Sequence, residues 1–271
     1  MSDAVVVTRS RRTTWVGHVT LPRVIVAELI KLTTLPSFVV SFVLAVVLLA
    51  GLGVMTAVAR IVQQDGEQTV SAEPGAVLAG VQGTQLIIVF VAAVFATTEF
   101  ANQTVQPSYL AVPRRVPVLL GKAVTVGSIS LVFGAAGAAT ALAGASLLLG
   151  SAGLPFDVSN AYSAQLIVGT ALYLLAISLI GLALGALIRS TVGAILTGLA
   201  VLNILPLMLG AAPFAWLRDA AAYLPSTAGL MILQQQVPEG ATQPWPGLAV
   251  AVAWGVLLFI TAALVTRRTD A

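Results

Sequence analysis

Phe38 to Ala59 reads FVVSFVLAVVLLAGLGVMTAVA, an apolar run without a charge, closed by Arg60. As a helix rising 1.5 Å per residue it is about 30 Å long, matching the hydrocarbon core of a bilayer. Arg9, Arg11, Arg12, Arg23 and Lys31 precede it. A cleavable signal peptide has a shorter apolar core nearer the start and a small-residue cleavage site, so this run reads as a retained first span.

The rest of the chain agrees. Charged residues make up 8% of it and apolar residues 58%, whereas a soluble domain carries roughly 25% charged residues. Since about half of any folded surface is apolar already, the surplus must face lipid. Six charge-free stretches are long enough to cross: Leu32–Ala59, Pro74–Thr98, Ala123–Phe156, Val158–Ile188, Ser190–Leu217 and Gly240–Thr266. Trimmed by hydropathy and by Gly and Pro, they predict spans near 38–59, 77–98, 123–149, 164–188, 191–210 and 247–265. The expected fold is an all-α integral membrane protein. Residues 1–19 form a flexible cytoplasmic tail and residues 20–271 a single six-span domain.

Orientation follows from Lys and Arg, which concentrate in cytoplasmic loops. Arg9, Arg11, Arg12, Arg23, Lys31, Arg114, Arg115, Lys122, Arg189, Arg267 and Arg268 fall on one side, leaving only Arg60 and Arg218 on the other. Both termini are therefore expected inside, in a multi-pass protein of the cytoplasmic (inner) membrane. The net charge of +3 fits this topology better than nucleic-acid binding. Ala220–Leu233 competes for a seventh span, but it is too short and is interrupted by Pro225. It reads as an interfacial or re-entrant element on the outer leaflet.

Thr20–Leu35 reads as an amphipathic helix lying in the inner interface, bent from the first span at Pro36. Thr20, Arg23, Ala27, Glu28, Lys31 and Thr34 share one arc; Leu21, Ile25, Val26, Leu29 and Leu32 share the other.

The predicted spans contain no Asp, Glu, Lys, Arg or His. Ionisable groups at membrane depth usually mark ion or proton pathways, and acid–base catalysis needs a titratable group. Coupled transport by ions and intramembrane hydrolysis are both disfavoured. The absence of cysteine and the single histidine, His18, exclude thiolate or multi-histidine metal sites within the spans. The chain is not expected to be an enzyme or to hold a cofactor or metal itself. Gln82, Gln85 and Asn203 are among the uncharged polar residues inside the spans; they either line a path or hydrogen-bond neighbouring helices. Gly181 and Gly185 form a small-xxx-small pair suited to close helix contact.

Between the second and third spans the chain reads Glu99-Phe-Ala-Asn-Gln-Thr104, then Val105-Gln-Pro-Ser-Tyr-Leu-Ala-Val-Pro-Arg-Arg115, and ends at Gly121-Lys122. It begins polar, has an apolar middle at Tyr109, Leu110 and Val112, and closes basic. Pro107 suits the first turn of a helix. A short amphipathic helix across the cytoplasmic face fits, with Arg114, Arg115 and Lys122 at headgroup level.

The order Glu-(Phe/Tyr)-x-x-x-Thr, then Pro-(x)-Arg, then Lys at the start of a helix resembles the membrane subunit of type-2 ATP-binding-cassette exporters. Glu99, Phe100, Thr104, Pro113, Arg114, Arg115 and Lys122 are the matching positions. Glu28-x-x-Lys31 is similar to that family's elbow helix, and Leu224-Pro-Ser-Thr-Ala-Gly229 to its outer re-entrant element. Gln103 departs from the pattern, since many members carry Gly before the Thr. The resemblance implies a coupling helix over Gln103, Thr104, Val105, Gln106, Pro107, Tyr109 and Leu110 that docks on a separate ATPase subunit, its angle fixed by Glu99 with Arg114 or Arg115. It also implies a second permease copy or a paralogue. ATP and Mg belong to the partner, since this chain has no Gly-x-x-x-x-Gly-Lys-Ser/Thr phosphate loop. The function so implied is outward movement of an apolar or amphipathic cargo. A scaffold or sensor subunit, and a channel or secondary transporter, are the alternatives.

Overall fold

The computed structural model describes residues 20–63, 74–101, 115–156, 158, 160–237 and 240–268. The expected N-terminal tail and most of the expected coupling segment lie outside these residues. Every regular element among the described residues is helical. Six helices are long and apolar enough to cross a membrane: Pro36–Gln63, Pro74–Thr98, Val116–Ser151, Ala161–Ile188, Thr191–Gly210 and Pro244–Arg268. The chain is a multi-pass helical membrane protein, its backbone polar groups satisfied within each helix as the bilayer demands.

One boundary differs materially from expectation. The third-span helix begins at Arg115, not Ala123, and runs unbroken to Ser151. Lys122 therefore lies within this helix and does not open it.

Local chemistry sets the helix ends. The fourth span starts where Asn160 Oδ1 accepts the Ser163 N–H at 2.9 Å, a favourable N-cap. It ends at Arg189, whose φ of 55° is left-handed. Ser190 Oγ then accepts the Gly193 N–H at 3.4 Å, and the fifth span begins at once. Inside that span, Ala200–Ile204 widens into a π-turn in which the Leu205 N–H bonds to Ala200 O. Pro206 gives the reason. It has no N–H to offer the carbonyl four residues back, and its ring clashes with that carbonyl in a regular helix.

The spans differ in how far they are enclosed. In the apolar window of the fourth, 72% of the residues are buried, against 17% in the fifth and 22% in the sixth. The fourth is the central post, packed against the second, third and sixth. Gly181 and Gly185 create the contact with the second span: a Cβ on Gly185 would stand 2.6 Å from Ala96 Cβ, and one on Gly181 3.0 Å from Ala92 Cβ. The first span buries Phe38, Phe42, Ala45, Leu49, Gly53 and Ala57, a stripe at helical spacing, and leaves Val40, Val43, Leu44 and Val47 exposed for lipid.

Two short helices, Ala215–Ala221 and Pro225–Leu230, and a 3-10 turn at Met231–Leu233 join the fifth and sixth spans. None is long enough to cross. The second helix and the turn bury Ser226, Ala228, Gly229, Ile232 and Leu233. Tyr162 Oη donates to Leu233 O at 2.6 Å. Gly229 lies against the ring of Tyr173, leaving no room for a Cβ. Tyr173 sits roughly 18 Å along its helix at 1.5 Å per residue, so this segment reaches the middle of the bundle. At the same end, Phe214, Trp216 and Tyr223 stand exposed, a composition suited to a membrane–water interface.

Candidate functional site

Two polar clusters interrupt the apolar interior. The first lies at the end of the bundle where the second span stops and the third begins. The N-terminal helix, Leu21–Thr34, packs there against the third-span helix. Its buried stripe is Val24, Glu28 and Leu32. Gly121 makes the approach possible, since a Cβ there would come within 2.7 Å of Val24 Cγ1.

This stripe corrects the sequence reading. Glu28 was expected on the water-facing arc but is 2% exposed, and its partner Lys122 is 4% exposed. Glu28 Oε2 accepts from Lys122 Nζ at 3.0 Å and Oε1 from Lys31 Nζ at 2.6 Å. Lys122 Nζ also donates to Phe95 O at 3.2 Å and lies 4.2 Å from the centre of the Phe95 ring. A buried ammonium is tolerable only with such partners. Lys122 stands just ahead of the expected span 123–149, and the Glu28 carboxylate stabilises its buried ammonium there.

Further ties hold the end of the second span. Thr97 Oγ1 and Thr191 Oγ1 are 2.7 Å apart, joining it to the fifth span. Phe38 meets Phe95 edge-on with ring centres 5.6 Å apart, joining it to the first. Thr125 Oγ1 donates to Ile25 O at 3.4 Å. Arg23 is exposed, and the Lys31 side chain is 45% exposed.

Of the expected coupling residues, Glu99 and Phe100 belong to the last turn of the Val81–Ala101 helix and Arg115 opens the next long helix. Their side chains, and Gln103, Thr104, Val105, Gln106, Pro107, Tyr109, Leu110 and Arg114 altogether, lie outside the described residues.

The second cluster sits at mid-depth, where the second, fourth and fifth spans meet. Tyr173 Oη donates to Gln85 Oε1. Gln85 Nε2 in turn donates to Asn203 Oδ1 at 3.3 Å. Gln85 and Asn203 thus bond helix to helix. Gln82, one turn away, is exposed and lines a cavity of about 500 Å³ together with Gln85, Asn203, Ser226, Thr227 and Gln234. Asn203 Nδ2 and Ser226 Oγ are buried and have no hydrogen-bond partner among the described residues.

Sequence reasoning missed Tyr173, the Ser226 hydroxyl and the pairing of Lys122 with Glu28. A tyrosine inside an apolar run was a usable signal, because a buried phenol needs a partner. Glu28, four residues from both Val24 and Leu32, was another. Ser226 lies in the Leu224–Gly229 stretch singled out in sequence, but nothing there marks its hydroxyl as a binding group.

Compared with known proteins, the chain matches no protein-family model and no curated protein.

Proposed function

We propose that this protein is the permease subunit of a type-2 ATP-binding-cassette exporter, moving an apolar or amphipathic cargo outward with ATP hydrolysed on a separate subunit. The observation that carries the reading is the buried Glu28–Lys122 pair. It joins the N-terminal helix to the third span, and through Phe95 O to the second. The second- and third-span helices end and begin in sequence on either side of residues 102–114, whose sequence resembles that family's coupling segment. A push on that segment would reach two spans and the elbow as one body, because charge-assisted bonds hold them together. The short helices between the fifth and sixth spans support the reading of an outer re-entrant element there. A second permease copy completes the pathway.

Co-purification with a soluble phosphate-loop ATPase encoded beside this chain tests the reading. Glu99→Ala and Arg114→Ala are expected to weaken the complex and its ATPase activity at least about tenfold, the loss of a charge-assisted bond. Undiminished complex and activity in both variants defeat the coupling assignment. The chain has no cysteine, so single cysteines introduced over residues 102–114 can be labelled on an empty background. Labelling from the external face sinks the topology, and with it the function.

A further inference from the structure

We propose that the mid-depth cavity binds an uncharged, hydroxyl-bearing amphiphile drawn from the bilayer, with Asn203 and Ser226 as the groups that recognise its polar end. As a cargo site this rests on the permease reading; as a binding site it stands on the geometry alone.

Three observations combine. The first is the lining. Gln82, Gln85, Asn203, Ser226, Thr227 and Gln234 supply polar groups, the remaining lining is apolar, and none of the described residues lining the cavity is ionisable. A volume of about 500 Å³ suits a small organic molecule. An ionised group brought to this depth would lose its hydration without gaining a counter-ion.

The second is directional. The Tyr173 hydroxyl donates to Gln85 Oε1, which turns Gln85 Nε2 toward Asn203. Asn203 must then present Oδ1 to Gln85, so its Nδ2 is left as a donor without a partner. The relay starts at a tyrosine that is 0% exposed and is held by packing against Gly229.

The third is Ser226, 3% exposed, lining the cavity with an unpartnered Oγ. Buried polar atoms without a bond cost stability and call for an explanation. A ligand hydroxyl both donates and accepts, so it can satisfy the Asn203 amide and the Ser226 hydroxyl together. A carbonyl can accept from both but gives the serine oxygen no donor, and a hydrocarbon satisfies neither. The π-turn that carries Asn203 is required by Pro206, so the relay and the cavity wall are set by the same local geometry.

The test uses Gln234→Cys in the otherwise cysteine-free chain, reconstituted in nanodiscs. Maleimide labelling is followed with three amphiphiles sharing one acyl length: 1-oleoylglycerol, oleylamine and oleyl phosphate. The glyceride is expected to slow labelling about tenfold, and the two charged compounds less than about twofold, because only the glyceride is accepted without an uncompensated charge. Adding Ser226→Ala should raise the glyceride concentration for half-protection about tenfold, one hydrogen bond, with Tm unchanged or slightly higher. Equal protection by all three amphiphiles, or none by the glyceride, overturns the proposal. So does a Ser226→Ala variant that folds normally and is protected as before. The outcome is separable from the permease reading: protection without any ATPase complex leaves the site standing and removes its transport role. An intact ATPase complex without protection removes the site alone.

Discussion

The two polar clusters of this protein are buried to a similar degree but finished differently. At the basic end, the Glu28 carboxylate has a lysine on each oxygen, and Lys122 has a carboxylate, a backbone carbonyl and an aromatic face. At mid-depth, the relay from Tyr173 through Gln85 to Asn203 ends on an amide nitrogen with nothing to bond, beside a buried serine in the same condition. A completed network rigidifies what it joins, whereas an incomplete one carries a standing cost. The first cluster is built to hold and the second to receive.

The contrast can be broken most forcefully at Lys122. Lys122→Leu removes one partner of a buried pair and leaves Glu28 with Lys31 alone. The expected loss is about 3 kcal/mol, read as a lowered Tm in detergent and poorer recovery from the membrane. The double variant Glu28→Leu, Lys122→Leu should regain a substantial part of that loss, because no buried charge then lacks its partner. A double variant worse than the single would mean that the pair contributes more than mutual neutralisation. At Tyr173 the effect is expected to be smaller. Tyr173→Phe keeps the ring against Gly229 but deletes the donor to Gln85, costing about 1 kcal/mol, and frees Gln85 to reorient. Cysteine protection by the glyceride should fall along with the Tm. An unchanged Tm would show the relay to be energetically idle. Ser226→Ala is the mildest. A hydroxyl that has no bond can be lost at about 0 kcal/mol or with a slight gain, so a clear drop in Tm would show that Ser226 is structurally engaged and would erase the difference between the clusters.

Parts of both clusters were legible beforehand. Glu28, Lys31 and Lys122 stood out as charges near apolar runs, and Gln82, Gln85 and Asn203 as amides inside them. Their pairings were not legible. Glu28 and Lys122 are separated by 94 positions, and Glu28 was assigned to the wet arc because local amphipathicity takes no account of a neighbouring helix. Gln82 and Gln85 both line the cavity, but only Gln85 also bonds the fourth and fifth spans.

What the sequence determined by itself is the number of spans and their approximate ends. The bilayer imposes one length and one polarity on any crossing helix, and both can be read from a single strand of text. Only the tertiary structure decided that the fourth span is the central post and the fifth is peripheral. Both are apolar all round, and lipid satisfies an apolar face as well as a neighbouring helix does. Helix arrangement in a membrane is therefore settled by close contact between small residues and by interhelical hydrogen bonds, here Gly181 and Gly185 against Ala92 and Ala96, and Tyr173 on Gln85. Those contacts exist only once the helices have met.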